Sequence, residues 1–139
     1  MKYYLSLGTN LGNKEENLRE AVKRIEEQIG TVVSLSAFHV TSPWGFQSEN
    51  SFLNAACCVE TTLEPIQMLV ATQHIERELG RTQKSENGMY HDRLIDIDLL
   101  LCFDAEGNAV EVDTPELTIP HRLMTQRDFV MIPLREILD

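Results

Sequence analysis

The run Leu94-Ile95-Asp96-Ile97-Asp98-Leu99-Leu100-Leu101-Cys102 constrains the fold more than any other part of the chain. Apolar and acidic residues alternating at period two describe a β-strand, whose successive side chains take opposite faces. Asp96 and Asp98 then share one face, starting roughly 7 Å apart, while Ile95, Ile97, Leu99 and Leu101 take the other. Leu99 to Leu101 continues the strand as if buried, so the acidic pair interrupts a hydrophobic element. Two carboxylates on one face repel each other and lose hydration unless a cation joins them. Taken alone, such an alternation is more often the mark of a strand with one wet face. Mg²⁺ suits hard oxygen ligands and usually takes one or two carboxylates plus substrate phosphates.

The remaining segments alternate in period around this strand. Residues 2–7 read as a short strand. Asn13 reads as a helix N-cap with Glu16 three residues on, followed by Leu18, Val22, Ile25 and Ile29 at helical spacing and by Gly30 as the stop. Residues 31–40 and 52–61 read as two strands joined by a polar loop. Pro65 opens a second helix at the favoured first-turn position and Gly80 closes it. With residues 94–102 the order is β-α-β-β-α-β, that of the ferredoxin-like α+β fold, in a single domain over residues 1–139. Residues 81–93 form a loop long enough to be functional, mobile without ligand and able to close over phosphates. A tail from Asn108 adds a short strand and one or two short helices.

A formal net charge of -10 argues against a general role on nucleic acid or anionic membranes. The expected partners are small molecules, acting on a monomer or weak homodimer. Cys57, Cys58 and Cys102 fit neither a zinc site nor a disulfide framework. They read as buried reduced thiols, which fits the cytoplasm. The opening MKYYLSLGTN lacks the apolar stretch of a signal peptide.

Against this acidic background, Arg81, Lys84 and Arg93 lie just before the acidic pair, and His121, Arg122 and Arg127 after it. Cations around an acidic pair suit a polyphosphate, whose oxygens Arg and Lys clamp, although any one of them reads equally as surface charge. Leu7-Gly8-Thr9-Asn10-Leu11-Gly12 lacks the Lys-Ser/Thr of a P-loop and reads as a strand-to-helix turn, with Gly and Asn present for backbone geometry. Thr41-Ser42-Pro43-Trp44-Gly45 is a turn holding the only tryptophan. Phe52 and Asn54 share a strand face and offer a ring beside an amide that both donates and accepts. His39, His74 and His91 have no metal-ligand spacing.

Together these segments resemble the 6-hydroxymethyl-7,8-dihydropterin pyrophosphokinase family of folate biosynthesis. The resemblance rests on the 7–12 and 41–45 segments, Phe52-Leu53-Asn54-Ala55-Ala56, Gly80-Arg81, Arg93 to Asp98, Pro120-His121 and Arg127-Asp128-Phe129-Val130. It implies transfer of pyrophosphate from ATP, the co-substrate, to the pterin hydroxymethyl group, releasing AMP. It places two Mg²⁺ ions on Asp96 and Asp98. Gln73, Glu76, Lys84, Arg93, Leu99, Thr118, His121 and Arg127 line the nucleotide site, and Arg81 and Arg93 act in catalysis with the acidic pair. Thr41, Ser42, Trp44 and Asn54 read the pterin edge, and Phe52 and Phe129 sandwich its ring. The chain departs from the family pattern at Gln83, Tyr90, His91-Asp92 and Glu116. A ligand-sensing module of the same fold is the reading from another class, and Mg²⁺-dependent ATP turnover separates the two.

Overall fold

The computed structural model describes residues 1–41, 51–80 and 94–138. β1 (Lys2–Thr9), α1 (Lys14–Gln28), β2 (Thr31–Leu35), β3 (His39–Thr41), β4 (Phe52–Glu60), α2 (Pro65–Gly80) and β5 (Asp96–Phe103) form the expected core. The sheet order is β2-β4-β1-β5, with β3 also on β4, and every pairing is antiparallel. A hairpin of β6 (Val112–Asp113) and β7 (Thr118–Ile119), a 3-10 turn (Met124–Gln126) and α3 (Asp128–Ile137) complete the tail.

Alternation along the strands divides the interior in two. Tyr3, Leu5, Leu7, Ala55, Cys57, Val59, Ile97 and Leu99 pack under α1 and α2, against Leu18, Ala21, Ile25, Met68 and Ile75. On the opposite face Tyr4, Ala56, Cys58 and Leu100 pack against Met124, Val130 and Leu134 of the tail. The tail is therefore the second layer over the sheet, not an appendage. Among the described residues α3 covers only part of that face, and Asp96 and Asp98 line a cavity beside it.

Three local expectations are revised. The 31–40 strand is broken at Ser36, which is buried. Its N–H donates to the Ala56 carbonyl and its Oγ accepts from the Ala56 N–H, each at 2.8 Å. A side chain has entered the ladder there. Register slips between Tyr4 and Leu5 across from β5, so Leu101 opposes Tyr4 while Leu99 opposes Leu5. Leu101 thus leaves the face of Ile97 and packs with the α3 cluster. Gly30 follows the Ile29 C-cap of α1 without a left-handed backbone, and glycine is needed there because a Cβ would clash with the Glu60 carbonyl. The Asn13 cap stands as read, its side chain accepting from Glu16 N–H at 3.1 Å.

Glu136 anchors α3 to the broken edge. Its carboxylate accepts from Ala37 N–H at 2.9 Å and pairs with His39 Nε2 at 2.5 Å. The Ala37 bond, then the His39 contact, holds this carboxyl below its ordinary range.

Candidate active site

Register builds the site. Gly8 on β1 faces Asn54 on β4 and Asp96 on β5, while Ser6 faces Ala56 and Asp98. Directly opposed residues share a face, so a row of small and polar side chains lies on the α3 side of the sheet. α3 begins beside this row. The result is a cavity of about 350 Å³ lined by Ser6, Gly8, Thr41, Phe52, Asn54, Asp96, Asp98, Arg127 and Phe129. Asn54 is buried, and its Nδ2 donates to Thr41 Oγ1 at 2.7 Å, which fixes the amide. The Arg127 guanidinium stands 5.7 Å from the Phe129 ring centroid, within cation–π range.

A second cavity of about 320 Å³ adjoins β5, lined by Leu69, Ile97, Leu99, Leu117 and Leu123 as apolar walls. Asp98, Glu116, Thr118, His121 and Arg122 supply its polar groups. His121 is held on both sides: its N–H donates to the Leu100 carbonyl at 3.0 Å, and its Nδ1 accepts from Leu123 N–H at 3.3 Å. Asp98 is the one residue common to both linings among the described residues. A slot with a ring and an amide therefore meets a slot with apolar walls and the Arg122 guanidinium at a single carboxylate.

The model of the 7,8-dihydro-6-hydroxymethylpterin-pyrophosphokinase (HPPK) family matches residues 4–139. The chain belongs to that family. Among similar proteins, the 2-amino-4-hydroxy-6-hydroxymethyldihydropteridine pyrophosphokinase of Porphyromonas gingivalis is 48% identical over 134 residues, 96% of this chain and 88% of the relative. The protein of the same name from Bacillus subtilis is 39% identical over 135 residues, 96% of this chain and 76% of that one. A crystal structure of HPPK-DHPS in complex with substrates superposes with a TM-score of 0.66 at 15% identity, over 98% of this chain and 40% of that one. At that identity the likeness is one of fold, and it agrees with the α+β architecture. The chain is accordingly a pterin pyrophosphokinase of folate biosynthesis, with ATP as co-substrate.

Of the site residues expected from sequence, Thr41, Phe52, Asn54, Asp96, Asp98, Arg127 and Phe129 meet in the first cavity, and Leu99, Thr118 and His121 in the second. Arg127, expected with the nucleotide, lies on the wall of the ring-and-amide cavity. Gln73 is exposed on α2, and Glu76 touches β5 from outside both linings. Ser42, Trp44, Arg81, Lys84 and Arg93 lie outside the described residues, as do Gln83 and the Tyr90-His91-Asp92 segment. Glu116, a departure from the family pattern, lines the second cavity.

Gly8, expected in a turn, instead lies within β1 and makes cavity floor. A Cβ there would stand 3.0 Å from Asn54 Oδ1 and 4.0 Å from Phe52 Cδ1. Its alternation with Ser6 along the strand was the available signal. Gly8→Ala is expected to leave the melting temperature nearly unchanged, since a strand gains from losing glycine what the contact costs. Its pterin affinity should fall by about tenfold or more, because the methyl enters the floor and displaces the Asn54 amide. Calorimetric titration with the hydroxymethyl pterin checks this, and unchanged affinity would place the pterin elsewhere.

Proposed function

We propose that the two cavities are the halves of one reaction site, the pterin lying between Phe52 and Phe129 and the nucleotide against Leu99, Thr118 and His121. The observation that carries this reading is that Asp98 borders both spaces. A transferring group must touch both substrates, and the shared carboxylate marks where they meet. Stacking on the two rings would hold the flat pterin, and the Asn54 amide with Thr41, Ser42 and Trp44 would read its hydrogen-bonding edge. The apolar walls of the second cavity would take the nucleotide base. Gln73, Glu76 and Lys84 are assigned to the same half from family resemblance.

Asp96 and Asp98 fit Mg²⁺. No group of three or more ligating side chains occurs among the described residues, so the donor set is a carboxylate pair. Such a pair is how Mg²⁺ is commonly held, with water and phosphate oxygens completing its coordination. Two ions are proposed, and bound there they would neutralise polyphosphate charge and orient it. The chain's own residues do the rest. Arg127 on the pterin side and His121 on the nucleotide side would offset charge on the phosphates, as would Arg81 and Arg93. The pterin hydroxymethyl oxygen attacks the β-phosphorus in line, its bond to phosphorus forming as the bond from that phosphorus to the α-phosphate oxygen breaks. AMP leaves, and Asp96 is the nearest candidate to take the hydroxyl proton. Catalysis of this kind is positioning and charge neutralisation.

The proposed setting is the cytoplasm, with a monomer or weak homodimer and no nucleic-acid or membrane partner. In support, the three cysteines are buried and outside any disulfide, and burial pushes the Cys57 thiol up to about 12, an inert state suited to a reducing compartment. The net charge of -10 disfavours anionic surfaces. No helix of the described residues is long and apolar enough to cross a membrane.

The test is to mix the protein with Mg-ATP and hydroxymethyl dihydropterin and identify the nucleotide released. AMP should appear in step with pterin consumption. Stoichiometric ADP would show attack at the γ-phosphorus and overturn the reading.

A further inference from the structure

β5 is the outer strand of the sheet, bonded to β1 on one side only. An edge strand presents backbone groups that need partners, and around a carboxylate pair their arrangement decides where the side chains stand. Along β5 the outer groups are taken one by one. Val110 N–H donates to the Cys102 carbonyl at 2.9 Å, and His121 N–H donates to the Leu100 carbonyl at 3.0 Å. At Ile97 no strand arrives among the described residues. Glu76 of α2 reaches across instead, its Oε2 accepting from Ile97 N–H at 2.7 Å. Ile97 is the residue between Asp96 and Asp98, and its own side chain is buried under the helices.

We propose that Glu76 is a positioning residue for the metal-binding pair. By accepting the Ile97 N–H it pins the first turn of the β5 pleat to α2, and so holds Asp96 and Asp98 on the cavity side at the spacing Mg²⁺ requires. The proposal rests on the assignment of Mg²⁺ to that pair. Without this bond the strand entrance is secured on one edge alone. The residues before Asp96 are then free to rotate, and each carboxylate moves with the peptide it flanks. Groups that orient metal ligands in this way typically change metal affinity or activity by roughly 10- to 100-fold when removed.

Two variants separate orientation from charge. Glu76→Ala removes the acceptor while leaving a good helix former on α2. Glu76→Gln keeps an acceptor oxygen and removes the charge. In metal-free protein, amide exchange at Ile97 should be slow in the wild type, fast in Glu76→Ala and largely restored in Glu76→Gln. Because Glu76 is also assigned to the nucleotide half, the non-hydrolysable ATP analogue is held at a concentration that saturates each variant. Titration of Mg²⁺ should then give a half-saturating concentration raised by roughly 10- to 100-fold in the alanine variant, with near wild-type behaviour in the glutamine variant. Pterin affinity without nucleotide should be the same in all three. Normal Ile97 protection and a normal Mg²⁺ response in Glu76→Ala would overturn the role of Glu76. A glutamine variant that protects Ile97 yet responds to Mg²⁺ as poorly as the alanine variant would make the carboxylate charge the operative feature, also against the proposal. Failure of the wild type itself to bind the analogue in a Mg²⁺-dependent way would instead remove the metal assignment on which the proposal stands.

Discussion

Replacing Asp98 by asparagine is expected to lower turnover by on the order of a hundredfold or more while the protein stays folded. Asp98 borders both cavities, so in the proposed arrangement it stands where the polyphosphate passes between substrates. An amide is a poorer Mg²⁺ ligand and leaves phosphate charge uncompensated there. The fold should tolerate the change because the side chain is half-exposed and isosteric, and because one of two like charges on a shared face is removed. The companion Asp96→Asn separates two explanations. Asp96 lines only the pterin-side cavity, so it should affect turnover with a smaller effect on Mg-nucleotide binding. Thermal melting with Mg²⁺ and a non-hydrolysable ATP analogue measures that binding by mass action, about 2.7 kcal/mol at a hundredfold excess over Kd. The wild type should be stabilised, Asp98→Asn much less and Asp96→Asn by an intermediate amount. An Asp98→Asn protein that melts and turns over like the wild type would reduce the acidic pair to a solvated strand face.

Leu134→Ala is expected to cost about 2–5 kcal/mol of stability, the range for emptying a fully buried leucine site. Leu134 is 0% exposed and belongs to the buried cluster between α3 and the sheet, with Val130, Tyr4, Ala56, Cys58 and Leu100. The loss has a functional signature. α3 starts at Asp128, directly after Arg127, and carries Phe129 as its second residue, so loosening the helix removes one wall of the cavity proposed for the pterin. Pterin affinity should fall even below the melting transition, while binding in the second cavity changes less. Urea titration gives the stability term, and pterin binding at low temperature gives the other. A cost under about 1 kcal/mol would show that α3 is not part of the cooperative core.

The candidate site was legible where chemistry and period coincide. The alternation at Asp96 and Asp98 implied a shared face, and register places both in one cavity. Phe52 and Asn54, two apart at the start of a strand, likewise meet there. What sequence spacing does not carry is distance between segments. Arg122 and Arg127 are five residues apart yet line different cavities, because the 3-10 turn at Met124–Gln126 lies between them. Gly8 had no side chain to betray a role, and its contribution is the volume it leaves to Asn54 and a ligand. Glu76 was placed with the nucleotide by resemblance, but its contact with Ile97 N–H follows from β5 being an edge strand.

The sequence by itself determined the element order, the Asn13 cap, the opening of α2 at Pro65 and the facing of the acidic pair. Each of these depends on residues within a few positions of one another, through dihedral preference, capping or side-chain period. The tertiary structure alone decided where regular period fails. Ser36 breaks the second strand because its hydroxyl finds Ala56 across the sheet. Leu101 changes face because β5 carries one extra residue, Leu100, opposite the Tyr4–Leu5 step of β1. α3 runs through Pro133, a residue that ordinarily interrupts a helix, because Pro133 and Leu134 are buried. Asp98 serves two cavities because the tail brings α3 to one side of it and His121 to the other. These outcomes depend on contacts between residues far apart in the chain, whose energy exists only once the layers have packed.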